Sequence, residues 1–511
     1  MFALWTQVPA VSEEDKEIAS NGERTTAGPL FIAQTESLAH TKYKQYIAAI
    51  HVHSDRSSGK DSIPFIVKQA KAKGLSILFM TDTLSRKISY GLPPFRNVLA
   101  LSVSGHSLID TGIDDYLDLI RQINEENAQD NFIIIPGAEV SPFHYWEGSL
   151  LSGNLTIRDW RRHLHVIGLT EESQYNNLPI VHGASSTRYT RRYIFPFITF
   201  LVPLLIGLLL SFKSGYIRWV GLSICFFSFL GVINNWPFKS SKFSPYHGTY
   251  QHSPYQELID AANAMGAFVI YAHPESNVVE EEVPAGGALS FMKVKMKTPK
   301  YPNLIINTHD YLGFEGAYSK SSKLIYAGNQ WDKALSEYLA RSREKPPWSI
   351  SGIDYHESKE GHVWGNIDTG QTIFWLKSLS REEIFKALGE GRFYSVRQVG
   401  NKGDLFLSDY TLHTAAGSSK PAMSGEWKAV KDFMSLKVQL FTNEKPGAKL
   451  DLTVIKNGKV VDQRKIETPY ALTLNDQIRN ESTGYYRIIA EGEGYQLITN
   501  PIFYKVSGGQ E

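Results

Sequence analysis

The 511-residue sequence contains a single cysteine, Cys225, and almost no net charge. One cysteine excludes an internal disulfide and a zinc site built from several thiolates, so any bound metal must be held by His, Asp and Glu. The 53 Lys and Arg residues are balanced by 52 Asp and Glu, which leaves a net charge of +1. A nearly neutral chain has no general attraction to nucleic acid, so we do not expect a dedicated nucleic-acid-binding protein. Residues 1–10 also lack the basic segment and the long apolar segment of a signal peptide.

Between residues 44 and 396, short β-type runs alternate with amphipathic helical stretches. This alternation predicts an α/β domain with parallel strands, preceded by a polar lead-in segment over residues 1–43. The seven predicted strands are Tyr46–His51, Ile77–Thr81, Phe132–Pro136, Leu164–Gly168, Ala267–Ala272, Gly313–Tyr318 and Trp348–Gly352. The predicted helices, each with an apolar face, are Ile63–Lys73, Tyr116–Asn127, Tyr255–Met265 and Trp331–Arg341.

The alternation is interrupted by two uncharged runs of 19 residues each, Ile194–Phe212 and Trp219–Pro237. Each run is close to the roughly 20 residues that cross a bilayer, so residues 194–237 are predicted to form a transmembrane helical hairpin in contact with lipid. The alternative is a buried hairpin in a soluble core. A hairpin returns the chain to its starting side, so residues 44–190 and 250–396 can belong to one domain. Basic residues flank its outer ends, which favours a membrane protein with its catalytic domain in the cytoplasm; they are Arg188, Arg191, Arg192, Lys239 and Lys242.

The last part of the chain has a different pattern. A capping box of Ser380 and Glu383 begins a short helix. From residue 401 to 506, short alternating runs are separated by turns such as Asn457-Gly458, a pattern that predicts a small β-sandwich domain.

Side chains that commonly bind metals lie in or directly after the predicted strands. The imidazoles of a His-x-His sequence in an extended chain lie on the same side and can bind one divalent cation. A carboxylate such as Glu139 could bridge two ions. Glu315 is expected to be a structural group, and His163 competes with His165 for a ligand role. The candidate ligands are His51, His53, Glu139, His165, His273 and Asp354, and Asp82 and His356 accompany them.

In combination, these motifs resemble the PHP (polymerase and histidinol phosphatase) superfamily. The motifs in order are His51-Val52-His53, Thr81-Asp82-Thr83, Pro136-Gly137-Ala138-Glu139, His165, Ala272-His273-Pro274 and Asp354-Tyr355-His356. The resemblance implies a distorted (β/α)7 barrel that binds two or three Zn, Mn or Fe ions and hydrolyses phosphoesters. The segment Arg381–Val396 and the C-terminal β-domain also resemble the carbamate-hydrolase-like CehA/McbA branch.

Two departures from the PHP pattern concern the third metal. This chain has Thr83 where members usually have His, and Ser58 where many have Asp or His. We therefore expect a dinuclear centre, although Asp55 or Asp61 could retain a third ion. The first ion would be bound by His51, His53, Glu139 and Asp354, and the second by Glu139, His165 and His273.

The predicted function is that of a membrane-anchored, metal-dependent hydrolase that uses a metal-activated water. Phosphoester hydrolysis is preferred, on a small and anionic substrate, with Arg56 and Lys60 as the candidate substrate-binding cations. His356 and Asp82 are the candidate proton donors to the leaving group. The alternatives are a CehA-like ester or carbamate hydrolase, and a non-catalytic membrane-tethered binding protein on a decayed PHP barrel.

Overall fold

The computed structural model describes residues 43–150, 152–284, 293–318, 322–358, 366–399, 403–414, 420–443, 445, 447–478 and 481–507. Apart from Tyr43, the predicted lead-in segment lies outside the described residues. Up to residue 398, the strands are β1 (Lys44–Val52), β2 (Ile77–Met80), β3 (Lys87–Gly91), β4 (Ala100–Ser104), β5 (Ile133–Val140), β6 (Tyr145–Glu147), β7 (Thr156–Arg158), β8 (Leu164–Ile167), β9 (Phe268–Tyr271), β10 (Val278–Pro284), β11 (Lys293–Thr298), β12 (Gly313–Glu315), β13 (Trp348–Ile350), β14 (Gly370–Leu376) and β15 (Phe393–Gln398).

The helices lie between these strands in the mixed α/β order that the sequence predicts. They are α1 (Ile63–Ala72), α2 (Leu108–Thr111), α3 (Ile113–Glu126), α4 (Glu172–Asn176), α5 (Thr190–Ser211), α6 (Tyr216–Asn234), α7 (Ser253–Ala264), α8 (Leu304–Asn307), α9 (Gln330–Leu339) and α10 (Arg381–Glu390). In α1, a proline in the first turn suits a helix start, and the buried residues Ile63, Ile66, Val67 and Ala70 form the predicted apolar face. The Ser380 hydroxyl accepts the backbone N–H of Glu383 and so caps α10 as expected.

The seven predicted strands lie side by side in the order β13-β12-β9-β8-β5-β2-β1. Adjacent strands are parallel except around β8, which runs antiparallel to both β5 and β9. The prediction that strand four runs parallel to its neighbours is therefore wrong. The physical reason is the connection from β5 to β8, which contains two short strands and no crossover helix, and antiparallel strands need none.

The first and last of these seven strands also approach each other. Tyr355 donates its backbone N–H to the carbonyl of His51 at 3.0 Å, and His53 donates its N–H to the carbonyl of Tyr355 at 2.9 Å. These bonds bring the ligand-bearing segments 51–53 and 354–356 together. The closed (β/α)7 form of the barrel stays a prediction.

Helices α5 and α6 form the predicted hairpin and are long and apolar enough to cross a membrane. Only 6% and 17% of their most apolar windows are buried by the rest of the protein. They pack closely on each other, since a side chain at Gly207 would clash with Ile224 and with the backbone of Cys225. The helices are thus largely exposed within the described chain, and the choice between a transmembrane and a buried hairpin stays a prediction.

After residue 400, the described chain is rich in strands. They are β16 (Leu405–Thr414), β17 (Ala422–Met423), β18 (Trp427–Val430), β19 (Phe433–Thr442), β20 (Lys449–Lys456), β21 (Lys459–Glu467), β22 (Tyr470–Gln477), β23 (Thr483–Gly492), β24 (Tyr495–Thr499) and β25 (Ile502–Val506). They divide between a four-stranded sheet, β17-β16-β19-β22, and a continuation of the main sheet. Asn457 and Gly458 both have positive φ, as the predicted tight hairpin turn requires.

The main sheet does not end at the expected domain boundary. β14 pairs with β1, β15 pairs with β14, and β15 pairs in turn with β24. An ion pair adds to this connection, because Arg487 binds Asp332 of α9 through two hydrogen bonds of 2.7 and 2.8 Å. The strand-rich C-terminal region is confirmed, and its description as a separate sandwich domain stays a prediction.

Candidate metal centre

The candidate ligands lie where strands end, and several have an unusual backbone conformation. His51, His273 and Asp354 have φ values of 73°, 32° and 50°. Residues other than glycine rarely adopt such backbone conformations, which cost roughly 1–3 kcal/mol each and occur mainly at functional sites. The fold therefore accepts local strain at three positions where the chain turns imidazole and carboxylate groups toward one point.

Glu139, near the end of β5, lies at the centre of the cluster. Its Oε1 atom is 2.7 Å from His163 Nδ1, 3.3 Å from His51 Nε2 and 3.6 Å from His273 Nε2. Its Oε2 atom is 3.6 Å from His53 Nε2. One carboxylate thus faces four imidazoles, from the ends of β1 and β9 and the start of β8, which is the position expected of a group that bridges two ions.

Asp354 forms the opposite wall of the cluster. Its Oδ1 atom is 3.1 Å from His51 Nε2, 3.5 Å from His53 Nε2 and 3.1 Å from His356 Nε2. The imidazole of His356 also stacks on that of His53 with ring centroids 4.5 Å apart. Tyr318 donates its hydroxyl to Asp354 Oδ2 at 3.2 Å.

Glu315, at the end of β12, lies beneath the cluster and contacts three of its members. Its carboxylate is 2.7 Å from His51 Nδ1 and 3.1 Å from His165 Nε2, and it accepts the backbone N–H of His273 at 2.7 Å. A carboxylate that binds one ring nitrogen of a histidine orients the other nitrogen toward a metal. Glu315 is fully buried and holds His51 in this way.

The predicted ligand His165 lies in the deeper layer beside Glu315, while His163 contacts Glu139 directly. The antiparallel direction of β8 explains this arrangement. A strand that runs antiparallel to β5 has its start, not its end, at the metal side of the sheet. His163, directly before β8, is therefore closer to the centre than His165, which is opposite Glu139 in the strand register.

Asp82, predicted to donate a proton, is occupied by hydrogen bonds within the fold. It accepts the backbone N–H and the hydroxyl of Ser54 and the hydroxyl of Ser57, at 2.6–2.8 Å. Burial raises the pKa of Asp82 to about 6, although these hydrogen bonds oppose the shift. The contacts describe a residue that holds the loop after β1, and its catalytic role stays a prediction.

The predicted substrate-binding cations lie on that same loop. Lys60 is exposed, and its Nζ atom is 2.6 Å from a carboxylate oxygen of Glu357, next to His356. Arg56 is half-buried, and its backbone carbonyl accepts the hydroxyl of Thr111. The alternative third-site ligand Asp61 instead accepts hydrogen bonds from Tyr355 and Ser358.

Charges within the cluster shift the pKa values of its members in opposite directions. Burial raises the pKa of Glu139, but His163, His273 and His51 outweigh burial and hold that pKa well below its usual range. Burial lowers the pKa of His51, but Glu315 and Asp354 hold it well above its usual value. For His53, burial and the neighbouring His356 lower the pKa to about 3. His53 is therefore a neutral imidazole at neutral pH, the form that binds metal.

The donor set fits divalent cations. Five overlapping trios of His, Asp and Glu have ligand atoms that all lie within 4.8 Å of one another. Both ring nitrogens of His53 are buried and make no hydrogen bond, and the same is true of His51 Nε2. Buried imidazole nitrogens that face carboxylate oxygens without bonding to them are unusual in proteins unless an ion lies between them. The trio of His53, Asp354 and His356 adds a place for a further ion, so the count of two stays a prediction.

Sequence reasoning did not single out Arg86, whose charge interacts with that of the Glu139 carboxylate. Burial lowers the pKa of its guanidinium, and the nearby Glu139 carboxylate raises it. Its side chain lies against Gly105, within 3.2–3.4 Å of where a Cβ would project. Arg86 belongs to no metal-ligand motif, so only its position after the Thr-Asp-Thr segment could have drawn attention to it.

No family model matches the chain, and no curated protein matches it. The chain is similar to a solved two-domain protein from Bacteroides vulgatus that contains a predicted PHP-like metal-dependent phosphoesterase. The two sequences are 12% identical, the TM-score is 0.35, and the similarity covers 92% of this chain and 95% of that chain. It is also similar to a protein from Bifidobacterium adolescentis described as a metal-dependent phosphoesterase, with 13% identity, a TM-score of 0.24, and coverage of 62% of this chain and 88% of that chain. At these TM-scores neither similarity carries an argument about the site. The first description names a PHP-like phosphoesterase and the second a metal-dependent phosphoesterase, and neither mentions the CehA/McbA branch.

Proposed function

We propose that this chain is a membrane-anchored, metal-dependent phosphoesterase. The observation that carries the proposal is the meeting of His51, His53, Glu139, His273 and Asp354, whose ligand atoms come from strand ends up to 303 residues apart in the sequence. A buried cluster of imidazoles and carboxylates is the donor set of divalent-metal hydrolases.

In this proposal, His51, His53, Glu139 and Asp354 would hold one ion, and Glu139, His163 and His273 would hold the other. Such ions supply Lewis acidity, which lowers the pKa of water and stabilises negative charge on phosphate oxygens. Glu315 orients the ring of His51 and accepts the backbone N–H of His273. His356, half-buried at the edge of the cluster, would give a proton to the leaving group.

Membrane anchoring rests on α5 and α6, whose side chains are mostly exposed and apolar. Phe195 and Leu209 of α5 are 76% and 68% exposed, and Phe212, directly after α5, is 80% exposed. An apolar surface of this kind is not stable in water unless it is covered. The basic residues near the outer ends of the hairpin favour a cytoplasmic position for the metal centre.

The test uses the full chain purified in detergent, stripped with a chelator and reloaded with Mn²⁺ or Zn²⁺. We expect metal-dependent hydrolysis of p-nitrophenyl phosphate or bis(p-nitrophenyl) phosphate. Replacing both His51 and His53 by Ala should abolish hydrolysis and metal binding, while His309→Ala, an exposed histidine elsewhere, should change neither.

The other predicted functions appear as distinct outcomes of the same assay. Metal-dependent hydrolysis of p-nitrophenyl acetate without phosphoester hydrolysis would contradict the proposal and favour an ester or carbamate hydrolase. Absence of hydrolysis above the uncatalysed rate on every substrate, with no ions bound, would favour the non-catalytic binding protein.

A further inference from the structure

The β3–β4 hairpin and its connecting loop, residues 87–104, here named the lip, extend from the metal centre to the base of the apolar helices. Thr83 lies four residues before the lip, and its hydroxyl is 3.4 Å from Glu139 Oε2. At the other end, Asn97 donates its backbone N–H to Asn234 Oδ1 at 3.0 Å and its side-chain amide to the Asn234 carbonyl at 2.6 Å. The lip thus joins the catalytic cluster to the last residue of α6.

Two further contacts tie the same regions together. Gly91 of the lip donates its N–H to the Tyr246 hydroxyl at 2.6 Å, and the Arg96 guanidinium lies 3.7 Å above the Tyr246 ring. Trp146, which follows the Glu139 strand, donates its N–H to the carbonyl of Pro245 at 2.7 Å and its indole N–H to Ser89 of the lip. The base of the apolar helices therefore packs on loops from the metal side of the sheet.

In the proposed anchoring, the end of α6 lies at the level of a bilayer surface. Its 19 residues span about 28 Å at ~1.5 Å per residue, close to the ~30 Å hydrocarbon thickness of a bilayer. Trp236, 48% exposed, lies just beyond this end, and its ring is 6.0 Å from that of Phe197. Aromatic rings are enriched at this depth in membrane proteins. Asn97, bonded to Asn234, therefore lies at the interface.

The lip carries exposed apolar side chains at this level. Leu99 is 50% exposed and Leu101 is 37% exposed, and Pro93 and Pro94 at the turn are also exposed. At the inner end of the lip, the Arg86 side chain lies against Gly105, and its charge interacts with that of the Glu139 carboxylate. From Thr83 to Leu92 the chain is nine residues long, which limits the distance between cluster and turn to about 31 Å at ~3.4 Å per residue.

We propose that the lip rests in the bilayer surface and that the metal centre acts on membrane lipids that carry a phosphoester in their polar head group. The inference rests on the proposed function of a membrane-anchored phosphoesterase and names its substrate class. Leu99 and Leu101 contact the acyl region, and the anionic head group passes Arg86 on its way to Glu139 and the ions. A guanidinium at that point attracts the phosphate oxygens of an entering head group.

The experiment compares substrates that differ only in their hydrocarbon chain, with the full chain reconstituted in phosphatidylcholine vesicles. For a monoesterase the pair is hexadecyl phosphate and butyl phosphate, and for a diesterase it is hexadecyl and ethyl p-nitrophenyl phosphate. We expect kcat/KM to be at least tenfold higher for the long-chain member. The variant carrying both Leu99→Asp and Leu101→Asp should remove this preference without changing the rate on the short-chain member, which also reports correct folding.

The matched control replaces Val460 and Val461 by Asp, because these two residues are 49% and 46% exposed in the C-terminal strand β21. The control should keep the long-chain preference. Equal kcat/KM for both chain lengths in the wild type, or equal loss of preference in both double variants, would overturn the inference while leaving the phosphoesterase proposal intact. Absence of phosphoester hydrolysis on any of these substrates would overturn the proposed function itself, and the substrate class with it.

Discussion

Replacing Glu315 by Gln should weaken metal binding without removing any predicted ligand. The carboxylate faces His51 Nδ1, His165 Nε2 and the backbone N–H of His273 at 2.7–3.1 Å. An amide of the same shape has only one oxygen, so its NH₂ group must face either an N–H donor or a ring that needs an acceptor. At least one of the three contacts is lost, and the negative charge that favours protonated His51 Nδ1 disappears.

The size of the effect follows from the number and kind of these contacts. A hydrogen bond to a charged group contributes about 1.5–3 kcal/mol, and only part of this acts on the metal, because Glu315 works through His51. Loss of a carboxylate that orients a ligand typically lowers metal affinity by about 10- to 100-fold, equivalent to ~1.4–2.8 kcal/mol. We therefore expect Glu315→Gln to fall within this range and to bind the same number of ions as the wild type.

The measurement is a competition titration of detergent-purified protein against a chromogenic chelator for Zn²⁺, with elemental analysis at saturation. Glu125→Gln, an exposed glutamate on α3, is the matched control and should leave affinity unchanged. An affinity within twofold of the wild type for a folded Glu315→Gln protein would refute the positioning role. Loss of one whole ion per chain would instead identify Glu315 as a ligand, in the trio with His51 and His165.

Three further predictions concern protonation and stability. In the metal-free protein, the raised pKa of His51 contributes stability that is present below about pH 6.5 and lost as pH rises through the folded pKa. Because metal binds the neutral imidazole, the rise in Tm caused by saturating Zn²⁺ should grow from pH 6 to pH 9. A rise in Tm that stays constant over this pH range would contradict the prediction. His356→Ala should lower kcat by about 10²- to 10⁴-fold with full metal content, whereas loss of an ion in elemental analysis would show that His356 acts with Asp354 as a ligand. Asp332→Ala leaves Arg487 buried without its carboxylate partner and should lower the free energy of unfolding by about 3–5 kcal/mol in urea titrations; a loss below ~1 kcal/mol would refute the structural weight given to this ion pair.

The strands and the helix faces of the α/β part were predictable because their signal is local. Apolar runs of four to eight residues, followed by His, Asp or Glu, mark β1, β2, β5, β9 and β13 in the sequence without reference to any partner. Strand direction is different, because it depends on how the connection folds. The connection from β5 to β8 gives no helical pattern, and this was the available sign that β8 runs antiparallel.

The antiparallel direction of β8 decides which histidine contacts Glu139. With strand four taken as parallel to its neighbours, His163 and His165 share one face of the strand. Only the PHP resemblance then favoured His165 as the metal ligand. Only the reversed direction of β8 distinguishes them and brings His163 to 2.7 Å from Glu139. The lip was not predictable for a similar reason, because its neighbours Asn234 and Tyr246 lie about 140 to 160 residues away in the sequence.

The insertion of the apolar helices between β8 and β9 has a consequence for biosynthesis. β8 and β9 are hydrogen-bonded neighbours, yet about 100 residues separate them, including both helices. His51, His53 and Glu139 leave the ribosome before the helices, while His273 and Asp354 leave it after them. On the proposed topology, a nascent chain whose helices fail to enter the bilayer has only the metal ligands that precede the helices in place. Correct insertion is needed before the ligands that follow the helices can join them. Metal loading should therefore report membrane integration during translation.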